Sequence, residues 1–193
     1  MIWVLSNNFG SSFMEAEYSD KDCLRNFSNG DNDAFRSLFR KYEQPVIRYV
    51  YGLTFDAELS KDICQETFLQ LINNPPVFLF GGSVKPWLFK VARNKAVDAL
   101  RRRRVKGEGE SELAVLSSTF EAHPSEIHSD DEMLGDLRKA MGKLPENYRE
   151  IVSLHIYGGL TFNEISKLLG IPLGTALWRM QKAVSLLKEE MEK

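Results

Sequence analysis

Three carboxylates raise the first chemical question. Glu58, Asp62 and Glu66 recur at i, i+4 and i+8 within DAELSKDICQETF, so a helix over this stretch lines them along one face. Such a row suits a divalent cation and metal-assisted hydrolysis. It has no neighbouring His and no second carboxylate-bearing helix to complete a coordination shell. A docking face for a basic partner is the other reading of the same row. Cys23 and Cys64 stand in apolar or helical contexts without metal-ligand spacing, and both read as reduced thiols. Neither a metal nor a cofactor is expected.

A second chemistry is carried by KVARNKAVDALRRRRV, residues 90–105. On a helical wheel Leu88, Val91, Ala92, Ala96 and Ala99 share one face. Lys90, Asn94, Val97, Arg101 and Arg104 follow +4, +3, +4, +3 spacing on the opposite face. That stripe can track a phosphate backbone, with Asn94 and Val97 left to touch bases. A solvated basic helix end is the plainer alternative, since arginines near a C-terminus also complement the helix dipole. Four successive arginines exceed what capping needs.

Charge is segregated. The net charge is −2, yet residues 83–106 hold 9 basic and 1 acidic side chains, and residues 107–136 hold 9 acidic side chains with no Lys or Arg. The second block, GEGESELAVLSSTFEAHPSEIHSDDEMLGD, also carries Gly, Ser and Pro and lacks helical periodicity, so it reads as a flexible linker or solubilising spacer. Hydrophobic residues make up 43% and aromatics 11%, as in a folded globular chain. No apolar run reaches the ~18 residues that span a bilayer. Residues 1–17 read as a loose tail rather than a signal peptide, with Met14 an alternative start to Met1.

The elements that must hold these residues are all helical. Tyr18–Ser28 reads as a short helix, and Asn29–Asp31 as a turn. Phe35, Leu38, Phe39, Tyr42, Val46, Tyr49 and Val50 give Asp31–Phe55 the stripe of an amphipathic helix, with a kink possible at Pro45. A helix over Ala57–Asn73 carries the carboxylate row. Pro75, Pro76, Gly81 and Gly82 break the pattern before a helix over Lys85–Arg104. Beyond the acidic block, Pro145 opens a helix that Gly158 and Gly159 stop. Thr161 and Glu164 form a capping box, GIP turns the chain, and Gly174–Thr175 opens a helix to about Met191. A short helix, a turn and a longer helix make a helix-turn-helix, whose second helix enters the major groove in DNA binders. Ala176, Met180, Ala183 and Leu187 face inward on that helix; Thr175, Trp178, Arg179 and Lys182 face out. The expected fold is all-α: a tail (1–17), a helical domain (18–106), an acidic linker (107–136) and a helix-turn-helix domain (137–193).

NGDNDAFRSLFRKY, DICQETFLQL, KPWLFKVARNKAVDALRRRR and LPENYREIVSLHIYGGLTFNEISKLLGIPLGT occur in that order. With them the chain resembles the extracytoplasmic-function sigma factors of bacterial RNA polymerase, over about residues 18–193. The resemblance implies a cytoplasmic, non-catalytic polymerase subunit that reads and melts promoters. It implies that Asp62, Gln65 and Glu66 dock on the clamp helices of core RNA polymerase. It assigns Phe78, Phe80, Val91 and Asn94 to the opened minus-ten strand, with the arginine run on its phosphates and Lys90, Val97, Arg101 and Arg104 along the same stripe. It assigns Thr175, Trp178, Arg179 and Lys182 to the minus-thirty-five duplex, with the second domain seated on the polymerase flap. An anti-sigma factor is a further implied partner, without membrane insertion. One departure stands out: after Gly174–Thr175 the family commonly has a branched apolar, a basic and a small polar residue, whereas this chain has Ala176, Leu177 and Trp178. Two other functions fit parts of the chain: a helix-turn-helix regulator that binds duplex DNA unaided, and a metal-dependent nuclease using Glu58, Asp62 and Glu66.

Overall fold

The computed structural model describes residues 19–76, 83–105 and 139–192, and all regular structure among them is helical. The first unit holds α1 (Asp20–Ser28), α2 (Asn32–Thr54), α3 (Ala57–Asn73) and α4 (Lys85–Val105). The second holds α5 (Glu146–Ile156), α6 (Phe162–Leu169) and α7 (Leu173–Met191), preceded by helical residues 139–143. The expected tail, the Phe78–Phe80 loop and the acidic linker 107–136 lie outside the described residues.

Short polar side chains start the helices of the first unit. Ser19 accepts from the Asp22 N–H, Asp31 from the Asp33 and Ala34 N–H groups, and Asp56 from the Leu59 N–H. Each satisfies amide donors that the first helical turn leaves without partners. Pro45 does not end α2, which runs through it to Thr54. Phe55 closes α2 in the left-handed region at φ 53°, a costly conformation for a residue with a Cβ. In the second unit the Thr161–Glu164 capping box forms in full and opens α6; Gly170, at φ 65°, closes it. The last helix begins at Leu173, one residue before the sequence pattern places it, because Pro172 sets the entry φ at −58°.

The stripe of α2 packs as its spacing dictates. Leu38, Val46, Tyr49 and Val50 are buried, and Phe35 and Phe39 close over Phe68 of α3. Across α4, Leu88, Phe89, Ala92 and Ala96 are fully buried, the two alanines permitting close approach. On α3 the inner stripe is Ile63, Cys64, Phe68 and Leu71, all buried, while Ile72 is 39% exposed.

The two units share one core. Ile151, Leu154, Leu160 and Ile165 of the second unit are buried in the same cluster as Val46, Tyr49 and Phe89 of the first. Small residues permit the approach. A Cβ on Gly52 of α2 would stand 2.8 Å from the Ser153 hydroxyl oxygen, and one on Gly158 would stand 3.1 Å from the Phe89 ring. A smaller cluster of Met141, Leu144, Val152 and Ala183 ties α5 to α7.

Candidate nucleic-acid interface

The basic stripe is where the wheel places it. Lys90, Asn94, Val97, Arg101 and Arg104 are all exposed along α4. Val91 differs from these: only 8% exposed, it belongs to the buried side of the helix. Phe78 and Phe80 lie outside the described residues.

The position of the stripe is set at both ends of α4. At its start, the buried carboxylate of Asp20 accepts from the Val84 N–H and the Ser83 hydroxyl, each at 2.9 Å. It also accepts from the Tyr42 hydroxyl at 2.7 Å and the Lys41 ammonium at 3.0 Å. Burial alone pushes the Asp20 carboxyl up; the four hydrogen bonds outweigh it and hold the group below its ordinary value. At the far end, Arg103 pairs with Asp56, the N-cap of α3. Burial opposes that charge too, but hydrogen bonds donated by the Arg103 guanidinium and the Leu59 N–H hold the Asp56 carboxyl below its ordinary range. Arg104 pairs with Glu146 at 3.3 Å. Two of the four arginines are therefore engaged inside the molecule.

The second unit presents a matching face at the start of α7. Trp178 is 54% exposed, Lys182 is exposed, and Thr175 and Arg179 are half-buried. The Trp178 ring meets Tyr148 of α5 edge-on at 6.0 Å, which fixes its orientation. Leu177, beside it, is 41% exposed. Ala176 and Ala183 are fully buried beneath this face.

The carboxylate row of α3 is outward-facing: Glu58, Asp62, Gln65 and Glu66 are exposed. Glu58 pairs with Lys61 at 3.1 Å, and Glu66 with Lys95 at 2.8 Å. Among the described residues no three His, Cys, Asp or Glu side chains form a group that could hold a metal ion. Burial pushes the Cys64 thiol up to about 12, which leaves it a protonated core residue. No described helix is long and apolar enough to cross a membrane.

A third set of polar residues lies between the units and is absent from the sequence reading. Glu150, buried on α5, accepts from Arg93 of α4 through both carboxylate oxygens, at 2.7 and 3.3 Å, and from the Tyr49 hydroxyl at 3.4 Å. Desolvation works against the Arg93 charge, and the Glu150 carboxylate more than offsets it, keeping the guanidinium above its ordinary value. Burial, with Glu150 beside it, pushes the Tyr49 phenol well up, so it serves as a donor. Lys85 donates to the Gly159 carbonyl at 2.9 Å, and the Arg149 guanidinium lies 4.6 Å from the centre of the Phe55 ring. Two signals for this seam are present in the sequence: a glycine inside the helical pattern at YVYGLT, and a glutamate within the apolar run of REIVSL.

Comparison with known proteins agrees with this geometry. Residues 38–105 match the family described as sigma-70 region 2, and residues 134–187 match sigma-70 region 4. The chain is 30% identical over 166 residues to the RNA polymerase sigma factor CarQ of Myxococcus xanthus, covering 86% of this chain and 94% of that protein. It is 29% identical over 170 residues to the ECF RNA polymerase sigma factor SigE of Mycolicibacterium smegmatis, covering 86% of this chain and 66% of that longer protein. In fold it is similar to the sigma factor RpoE from Bartonella quintana, solved in complex with the anti-sigma factor NepR, with a TM-score of 0.64 and 23% identity over 82% of this chain and 96% of that one.

Proposed function

The chain belongs to the ECF RNA polymerase sigma factors, non-catalytic subunits that serve transcription initiation, and on that premise we propose how its surfaces divide the work. The α4 stripe, Lys90, Asn94, Val97, Arg101 and Arg104, follows the opened minus-ten strand, joined by Phe78 and Phe80 from the preceding loop. Phosphate contacts supply affinity there, while Asn94, Val97 and the two rings supply base selection. Val91 supports that surface from beneath. Thr175, Trp178, Arg179 and Lys182 of α7 read the minus-thirty-five duplex, with Trp178 against thymine methyl groups where the family commonly has a small polar residue, and with the family's usual basic contact absent at Leu177. Asp62, Gln65 and Glu66 dock on the clamp helices of the polymerase, and the second unit sits on its flap. The acidic segment 107–136 threads between the units toward the RNA path, where its nine carboxylates imitate nucleic acid. An anti-sigma factor holds the chain inactive in the cytoplasm until it is needed.

One observation carries this reading: two helical units, in the order of regions 2 and 4, each present an exposed basic or aromatic face suited to nucleic acid. Run-off transcription with purified core polymerase tests it. Transcripts that require this protein support it. Tight duplex binding without polymerase favours an ordinary helix-turn-helix regulator, and metal-dependent cleavage favours a nuclease. Unchanged transcript yield and abortive pattern after neutralising the carboxylates of 107–136 would remove the nucleic-acid mimicry.

A further inference from the structure

The last helix carries a pattern that neither its core contacts nor its reading face uses. Leu173, Leu177, Met180, Val184, Leu187 and Met191 follow one another at +4, +3, +4, +3 and +4 along α7. Alternation of four and three is the apolar seam of a helix that pairs lengthwise with another helix. Core packing does not account for it. Ala176 and Ala183, on the adjacent flank, are the fully buried residues of α7. Leu173, Leu177, Val184 and Met191 are 38–41% exposed. Met180 and Leu187 are half-buried and root the strip in the clusters beneath. At 3.6 residues per turn, Lys182 stands about 160° around the helix from Val184, so the strip and the reading face point apart.

We infer that this strip is a dimer interface, in which α7 lies antiparallel against α7 of a second copy. The pattern itself sets the register. A two-fold axis midway between Met180 and Val184 places Leu173 opposite Met191 of the second copy, Leu177 opposite its Leu187, and Met180 opposite its Val184. All six side chains then meet an apolar partner, and symmetry repeats each contact. Charge selects the direction. Residues 173–182 carry two basic side chains, Arg179 and Lys182, and no acidic one; residues 183–192 carry three acidic and one basic. An antiparallel pair sets the positive half of each helix against the negative half of the other and opposes their dipoles, whereas a parallel pair sets like against like. The strip runs the whole 19 residues of α7, about 28 Å, but it is narrow. The interface is therefore at the small end of specific contacts, and the dimer forms at about 10 µM. Its two reading faces point away from each other. Such a pair cannot seat both on one straight duplex, unlike the dimers of helix-turn-helix regulators, whose recognition helices lie one helical turn apart on the same side.

Sedimentation equilibrium of the full-length protein reads this interface directly. The wild type should pass from monomer to dimer between about 1 and 100 µM. Val184→Lys alters an exposed position and should keep the helicity and melting temperature of the wild type. It should weaken association about tenfold or more, because two ammonium groups then lie close to the axis. A mixture of Leu173→Cys and Met191→Cys chains, oxidised by glutathione disulfide, should give a disulfide-linked dimer of the two, and Leu173→Cys alone should not. A wild type that stays monomeric throughout overturns the inference, as does a Val184→Lys protein that dimerises as well as the wild type. Leu173→Cys chains that link to themselves as readily as to Met191→Cys overturn the antiparallel register. A monomeric wild type, with core polymerase binding lost in Val184→Lys, assigns the strip to the polymerase instead. Transcription plays no part in the dimer readouts, so failure of the promoter reading leaves them unchanged.

Discussion

Asp20 shows how one buried charge can be an asset. Its carboxylate is almost wholly removed from water, a state that is tolerable only because four donors converge on it. Asp20→Ala should cost about 3 kcal/mol in urea unfolding, since it leaves the Tyr42 hydroxyl and the Val84 N–H buried without an acceptor. The pH dependence follows from the lowered pKa. The stabilisation is fully present above the ordinary value of 3.8 and is lost as pH falls through the lower folded value. Urea midpoints at about pH 7 and about pH 3 should therefore differ more for the wild type than for Asp20→Asn. Trp178 tests function at the same scale. Trp178→Ala should change promoter preference while core polymerase binding persists, because the ring is exposed and held by Tyr148 rather than by the core. Equal transcription from a panel of promoters would exclude a base-reading role for it.

Among the elements, α6 depends most on a single cap. Its eight residues are too few for a stable isolated helix, so the Thr161–Glu164 box and the buried Ile165 together hold it in place. Thr161→Ala should lower stability by about 1 kcal/mol in thermal unfolding. It should weaken minus-thirty-five binding more than polymerase binding, because α6 sets the angle at which α7 leaves the turn. The capping box, the turns and the stripes of α2 and α4 were readable because each is a local pattern, fixed by spacing of three and four or by a residue type at a helix end. The Ala57–Asn73 helix matches its expected limits for this reason. Val91 packs beside Leu88 and Ala92, as its wheel position dictates, while the base contact comes from the resemblance alone. The seam was missed because nothing local pairs Glu150 with Arg93, 57 residues away.

For the molecule as a whole, a shared core predicts shared unfolding. Calorimetry should give one transition in which the two units melt together, rather than two independent ones. Arg93→Ala should destabilise that transition by about 3 kcal/mol, because Glu150 is left buried with only a tyrosine hydroxyl. The Arg93→Ala/Glu150→Ala pair should cost less than the sum of the single changes, a non-additivity that a double-mutant cycle measures. The same pairing has a consequence for ionic strength. In the closed chain Lys85, Arg93 and Arg104 spend their charge on the second unit. Raising salt screens these contacts unequally, the exposed Arg104–Glu146 pair more than the part-buried Arg93–Glu150 pair. The cohesion of the two units should therefore depend only weakly on salt while DNA affinity falls steeply with it, so that one helix carries a salt-tolerant set of cations on one flank and a salt-sensitive set on the other.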